Sequence, residues 1–201
     1  PDPGKVLTQE DILVIGRAAS DRGIELIPSF DSPGYMRYIL ERYREQTGHD
    51  IAMSFAPSCL DITNARGVRF VRSLMEEYGR LFARTGSRQF DIGGDEVFPN
   101  ELWQKAGSWQ AWAQKETGNV QCSPYDGFVL YMNGTDDFVR SLGYEQTRMY
   151  SDMVRESTLQ LNARIDVSYW MLGRATPVEI QERHRVINCI NFYLYYILDP
   201  H

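Results

Sequence analysis

Apolar and polar positions recur along the chain at two periods, and each period predicts its own kind of element. Over residues 8–22, Ile12, Ile15 and Ala19 fall at helical spacing, Thr8 is placed to cap, Asp11 follows three residues on, and Gly23 ends the run. Ile24-Glu25-Leu26-Ile27-Pro28 then reads as a short buried strand closed by a proline. After a loop from Ser29 to Gly34, a second helix is predicted from Tyr35 to Glu45, and residues 46–63 read as irregular. Val68, Val71, Leu74, Met75, Tyr78 and Phe82 mark a long helix over 65–84. Arg88–Ile92 is the next strand, and Gly93-Gly94-Asp95-Glu96 stands at its C-terminal end. A loop-rich insertion covers 97–125 and holds Trp103, Trp109 and Trp112; a helix over 125–142 follows and stops at Gly143. Strand signals recur at 146–150, 165–170 and 186–191, with a short helix near 177–183 between the last two.

Strands that alternate with helices argue for parallel βα units and an α/β fold. Polar and aromatic residues gather at the strand C-terminal ends: Asp31, Asp95 with Glu96, Asp152, Trp170 and the tyrosines after 191. That face carries the active site in a (β/α)8 TIM barrel and also in a doubly wound sheet. A Gly-rich phosphate loop would favour the doubly wound option, and the sequence offers none.

Composition narrows the function classes. The 201 residues suit one domain with a full core. A net charge of −6 argues against a nucleic-acid partner, and no apolar run approaches the roughly 20 residues of a membrane span. Cys59, Cys122 and Cys189 lie far apart without metal-ligand spacing, and an odd count cannot pair completely within the chain. His49, His184 and His201 are equally scattered.

The candidate chemistry sits in Gly93-Gly94-Asp95-Glu96. Two glycines let the backbone turn sharply and let a ligand approach it. Adjacent side chains on extended backbone point opposite ways, so the two carboxyl groups would serve two parts of a substrate. Glycoside hydrolysis asks for such a pair, one proton donor and one stabiliser of positive charge. A turn with two solvated charges is the competing reading. Asp31 in Phe30-Asp31-Ser32-Pro33-Gly34 is either a supporting carboxylate or a turn residue. Tyr150, Trp170, Tyr193, Tyr195 and Tyr196 are each explicable as core; together, near a carboxylate pair, they suit a sugar pocket. The three tryptophans of the insertion either line an outer subsite or anchor the insertion.

Taken in order, these segments resemble glycoside hydrolase family 20, the β-N-acetylhexosaminidases and lacto-N-biosidases. Residues 8–28 look like the helix and strand that lead into the family's Asp-x-Pro-Gly-His loop, here Asp31-Ser32-Pro33-Gly34-Tyr35. Phe90 to Val97 is similar to the family's His-x-Gly-Gly-Asp-Glu segment. Arg148 to Asp152 resembles its Trp-x-Asp segment, and Val167–Trp170 with Ile190–Leu198 its last aromatic-rich strands. Tyr35 and Asp91 stand where the family usually has His, and Tyr150 where it usually has Trp.

The resemblance implies a substrate-assisted retaining mechanism, in which the substrate's own 2-acetamido oxygen is the nucleophile. Glu96 would be general acid and then base, its pKa raised by burial and nearby charge. Asp95 would hold the acetamido nitrogen. Asp31, Tyr150, Asp152, Trp170 and Tyr195 would bind substrate, Tyr195 through the acetamido oxygen. No metal or organic cofactor is implied, and an extracellular or cell-surface setting is favoured. The family barrel opens with two βα units that have no counterpart before Thr8. The resemblance therefore implies an incomplete barrel of about five βα units, whose two open sheet edges invite self-association.

Overall fold

The computed structural model describes residues 6–154, 157–170 and 175–190. Helix α1 (Gln9–Ser20) opens with the Thr8–Asp11 capping box: Asp11 Oδ2 accepts from Thr8 N at 2.8 Å, and Thr8 Oγ1 accepts from Asp11 N at 3.1 Å. It buries Leu13 and Gly16 more deeply than the face predicted from Ile12, Ile15 and Ala19, and Ile15 is exposed. The reason is Gly16, which lets Thr85 come so close that a Cβ there would lie 2.3 Å from Thr85 Cγ2. Helix α2 (Arg37–Thr47) ends at Gly48 in the left-handed conformation.

Residues predicted as irregular form an antiparallel hairpin, β1 (Ala52–Met53) with β2 (Ala56–Leu60). Its strands are too short to print a period. The hairpin clamps the preceding loop: Leu60 N donates to Pro33 O and Met36 N to Ser58 O, both at 2.8 Å. Helix α3 (Ala65–Ala83) is capped by Asn64 and buries Val71, Met75 and Phe82 of the predicted stripe, together with Gly67 and Gly79, while Val68, Leu74 and Tyr78 are half-buried.

The central sheet is parallel, in the order β3 (Gln89–Asp91), β4 (Gln146–Tyr150), β5 (Ile165–Tyr169), β6 (Val186–Asn188). The fold is α/β, and the described strands form an open sheet rather than a closed barrel. The strand predicted over Ile24–Pro28 is not regular. A single parallel bridge joins Ser29 to Asp91, flanked by Asp91 N donating to Pro28 O and Phe30 N to Asp91 O. Further back the Glu25 side chain takes the ladder's place: Oε1 accepts from Arg88 N at 2.7 Å and from Gln89 N at 2.9 Å. One carboxylate thus satisfies the amides that strand carbonyls would have met, and Ile24 is left exposed.

Between β3 and α5 (Pro124–Ser141) the insertion holds a 3-10 turn (Asn100–Lys105) and helix α4 (Gly107–Thr117), more helix than its polar sequence suggested. Trp103 and Trp109 are buried, and Phe98 packs against each at 4.9 Å between ring centroids. Trp112 packs at the margin of the same core. The tryptophans therefore anchor the insertion. Gly127 of α5 allows the contact, since a Cβ there would stand 2.7 Å from Trp109 O. Helix α6 (Pro177–Gln181) precedes β6. No helix among the described residues is long and apolar enough to cross a membrane.

Candidate active site

The sequence placed its candidates at strand ends, and the sheet brings most of them together. Beyond Asp91 the chain leaves β3 through Gly93 (φ 74°) and Gly94 (φ 90°), both in the left-handed region. Side chains are excluded there. A Cβ on Gly93 would meet Asp31 Oδ1 at 2.1 Å, and one on Gly94 would press on Met132, Phe128 and Met149. Glu96 also has positive φ, 40°, which is uncommon for a residue with a side chain. This turn, and not alternation along an extended strand, separates the two carboxyl groups.

Asp95 is half-buried and faces Asp31. Burial, then the hydrogen bond and negative charge of Asp95, then the charge of Asp91, push the Asp31 carboxyl up to about 8, against a lesser downward pull from the Gly94 N–H. That amide donates to Asp31 Oδ1 at 3.0 Å. The Asp31 carboxyl is thus biased toward its protonated form and supports the turn. The hydroxyl of Tyr131 on α5 donates to Ser32 Oγ at 3.1 Å, fixing the Asp31 loop from behind. Asp95 Oδ1 is buried yet has no hydrogen-bond partner among the described residues.

Glu96 is exposed, so the burial expected for it is absent. Its main chain is well held: Glu96 N donates to Asp152 Oδ1 at 3.1 Å, and Trp170 Nε1 donates to Asp152 Oδ2 at 2.6 Å. Buried Asp152 therefore ties the end of β5 to the turn after β3. Tyr35, also in left-handed backbone (φ 53°), donates its hydroxyl to Glu96 Oε2 in a short contact. That hydrogen bond, with burial and the negative charges around it, raises the phenol above its ordinary range.

Tyr150 N donates to Gly93 O at 2.9 Å, which places Tyr150 beside the turn. Asp31, Asp95, Glu96, Tyr150, Asp152 and Trp170 are thus joined by direct bonds or by one shared neighbour. Tyr195, with Tyr193 and Tyr196, lies outside the described residues. Among the described residues no cluster of three His, Cys, Asp or Glu side chains could hold a metal ion. A cleft of about 630 Å³ borders the site on the α1–α3 side; Phe30, Asp31, Tyr35, Ile39 and Tyr78 line it, while Asp95 and Glu96 do not.

The sequence reading passed over Arg148 and treated Asp91 only as a replaced histidine. Arg148 Nε donates to Asp91 Oδ2 at 3.2 Å, and Asp91 Oδ1 accepts from Gly93 N at 3.0 Å. The signal was present: charged residues inside strands of a parallel sheet, which are normally apolar, are unusual enough to need partners.

Comparison with known proteins finds relatives along most of the chain. Residues 1–200 match the family profile described as glycosyl hydrolase family 20, catalytic domain. The chain is 29% identical over 183 residues to a lacto-N-biosidase of Bifidobacterium bifidum, covering 90% of this chain and 16% of that protein. It is 25% identical over 194 residues to beta-hexosaminidase subunit A1 of Dictyostelium discoideum, covering 96% and 35% respectively. The crystal structure of Dispersin B superposes with a TM-score of 0.75 at 26% identity, over 96% of this chain and 56% of that one. The chain therefore spans well under two thirds of the relatives it matches.

Proposed function

Because this chain belongs to glycosyl hydrolase family 20, we propose that it forms the catalytic centre of a β-N-acetylhexosaminidase-type glycoside hydrolase. On this reading the open sheet is a sector of a (β/α)8 barrel. The substrate is a glycan ending in N-acetylglucosamine or N-acetylgalactosamine. The observation that carries the reading is Asp95 Oδ1, a buried acceptor without a partner among the described residues, one residue from the accessible carboxyl of Glu96. An acetamide offers the N–H that Asp95 lacks and, on its other side, the carbonyl oxygen that can attack the anomeric carbon.

The residues then act in sequence. Glu96 gives its proton to the glycosidic oxygen as the acetamido oxygen closes on the anomeric carbon and the leaving group departs. The oxazolinium ion so formed carries positive charge toward its N–H, where Asp95 stabilises it. Protonated Asp31 supports Asp95 from behind and limits repulsion within the aspartate pair. Glu96, now a carboxylate, takes a proton from water attacking the anomeric carbon on the face the leaving group vacated; the bond from that carbon to the acetamido oxygen breaks, the acetamide is restored, and two inversions retain configuration. Tyr150 and Trp170 wall the space around the acetamido methyl, and Tyr195 hydrogen-bonds its oxygen. Asp152 holds Glu96 and Trp170 in register. Release of a disaccharide is the second reading, favoured by the similarity to a lacto-N-biosidase.

The test is hydrolysis of an aryl N-acetyl-β-glucosaminide by this chain beside its Glu96→Gln and Asp95→Asn variants. Glu96→Gln is expected to abolish turnover while binding survives, and Asp95→Asn to lower kcat by about 10²-fold or more. Turnover unchanged in Glu96→Gln would overturn the assignment. Sugar binding without turnover in the parent chain would make it a glycan-binding protein instead.

A further inference from the structure

Charges of alternating sign cross the sheet beneath the turn. Asp91 on β3 is in register with Arg148 on β4, and Arg148 with Asp166 on β5. Arg185, just before β6, completes the row, its Nε 3.4 Å from Asp166 Oδ2. The members differ in burial: the Asp91 side chain is 6% exposed and that of Arg148 26%, whereas Arg185 is 69% exposed. The Asp91–Arg148 pair is therefore the interior one, and it lies directly under Gly93.

The backbone ladder explains why that pair matters. Ile92 N donates to Arg148 O at 2.8 Å and Tyr150 N to Gly93 O at 2.9 Å, so both of those amides pair with strand carbonyls. The Gly93 amide has no such partner among the described residues and is held by Asp91 Oδ1. It is the first amide of the left-handed turn that carries Asp95 and Glu96. Asp91 is in turn oriented by Arg148. Burial pushes the Asp91 carboxyl up, and the Gly93 amide and Arg148 oppose that shift. Without the guanidinium, Asp91 would lose the charged donor that fixes its orientation and so hold the Gly93 amide less firmly.

We propose that Arg148 is a positioning residue for the catalytic turn, acting through Asp91 on the Gly93 amide. The effect on turnover depends on the hydrolase reading above; the effect on the Gly93 amide does not. The experiment uses the 201-residue chain, ¹⁵N-labelled, with two readouts: hydrogen exchange of individual amides by NMR, and kcat and KM on an aryl N-acetyl-β-glucosaminide. In Arg148→Met, Gly93 is expected to exchange about tenfold faster or more while Ile92 and Tyr150 stay within about threefold of the parent. The same variant is expected to lose about 10- to 100-fold in kcat with KM within about threefold, because a misplaced turn costs turnover more than binding. Arg148→Lys, which keeps the charge, is expected to recover most of both losses.

If methionine at 148 prevents folding, Arg148→Lys against Arg148→Gln makes the same comparison, with only the glutamine variant showing the fast Gly93 amide. Gly93 exchange at the parent rate in a folded uncharged variant would overturn the proposal. So would exchange rising equally at Ile92 and Tyr150, which would mean general loosening. A parent chain without hydrolase activity would count against the functional reading, and Gly93 exchange would still decide the role of Arg148.

Discussion

Replacing Asp31 by Asn is expected to make the protein more stable, increasingly so as pH rises. The Asp31 carboxyl ordinarily titrates near 3.8 and in the folded chain is raised to about 8. Below about pH 4 both folded and unfolded states hold the proton, and the residue contributes no pH dependence. Between about 4 and 8 the unfolded chain releases the proton and the folded chain keeps it, so stability falls as pH rises; above 8 the loss is complete. At 1.36 kcal/mol per unit, the interval from 3.8 to pH 7 corresponds to about 4 kcal/mol as an upper limit. Solvent reaches half-buried Asp31, which lowers the expected effect to about 2–3 kcal/mol. Asparagine is neutral at every pH, keeps an oxygen for the Gly94 amide and offers an N–H to Asp95. Asp126, Asp136 and Asp166 also have shifted carboxyl groups, but none is among the groups that shift Asp31, and they cancel in the difference. The assay is urea unfolding of parent and Asp31→Asn at pH 5, 6, 7 and 8, with stability taken from the midpoint at constant m. The gap should widen with pH, by at most about 1.4 kcal/mol per unit. Parallel curves over this range would refute a raised Asp31, and with it the proton-holding role given to that residue.

Other perturbations test the supports of the site. Gly93→Ala is expected to cost at least about 2 kcal/mol, since its Cβ would meet Asp31 Oδ1 at 2.1 Å on backbone at φ 74°; thermal unfolding gives the value, and a shift equal to that of alanine at exposed Gly107 would count against it. Trp109→Ala should cost about 3–5 kcal/mol because the side chain is fully buried; a loss under about 1 kcal/mol in urea unfolding would place Trp109 outside the anchoring core. Glu25→Ala removes the carboxylate that caps the Arg88 and Gln89 amides. About 1–3 kcal/mol is expected, with faster hydrogen exchange confined to the start of β3.

How much of this was legible depended on whether a feature is local. Helix α3 was read correctly because apolar residues at helical spacing specify it from within its own sequence. The antiparallel hairpin β1–β2 escaped because two- and five-residue strands are too short to carry a period, and its partner loop at Pro33 and Met36 is remote in sequence. The strand over 24–28 failed for the converse reason: its pattern was good, but a side chain, Glu25, took the bonds its backbone would have made. The site divides the same way. Gly93-Gly94-Asp95-Glu96 announces itself, since paired glycines before paired acids are a local pattern, yet the cause of the first glycine is Asp31, 62 positions earlier, whose Oδ1 would touch any side chain at Gly93. The burial expected for Glu96 failed because the turn swings it out of the sheet end while Asp95 goes in. On the hydrolase reading proposed above, chemistry at this site depends less on the two acids being adjacent than on what each one faces. Asp95 faces an aspartate whose carboxyl is raised by burial and by Asp95 itself, and Glu96 faces a phenol, so two neighbours in sequence occupy different electrostatic surroundings. That asymmetry is what a reaction with one proton donor and one charge stabiliser requires.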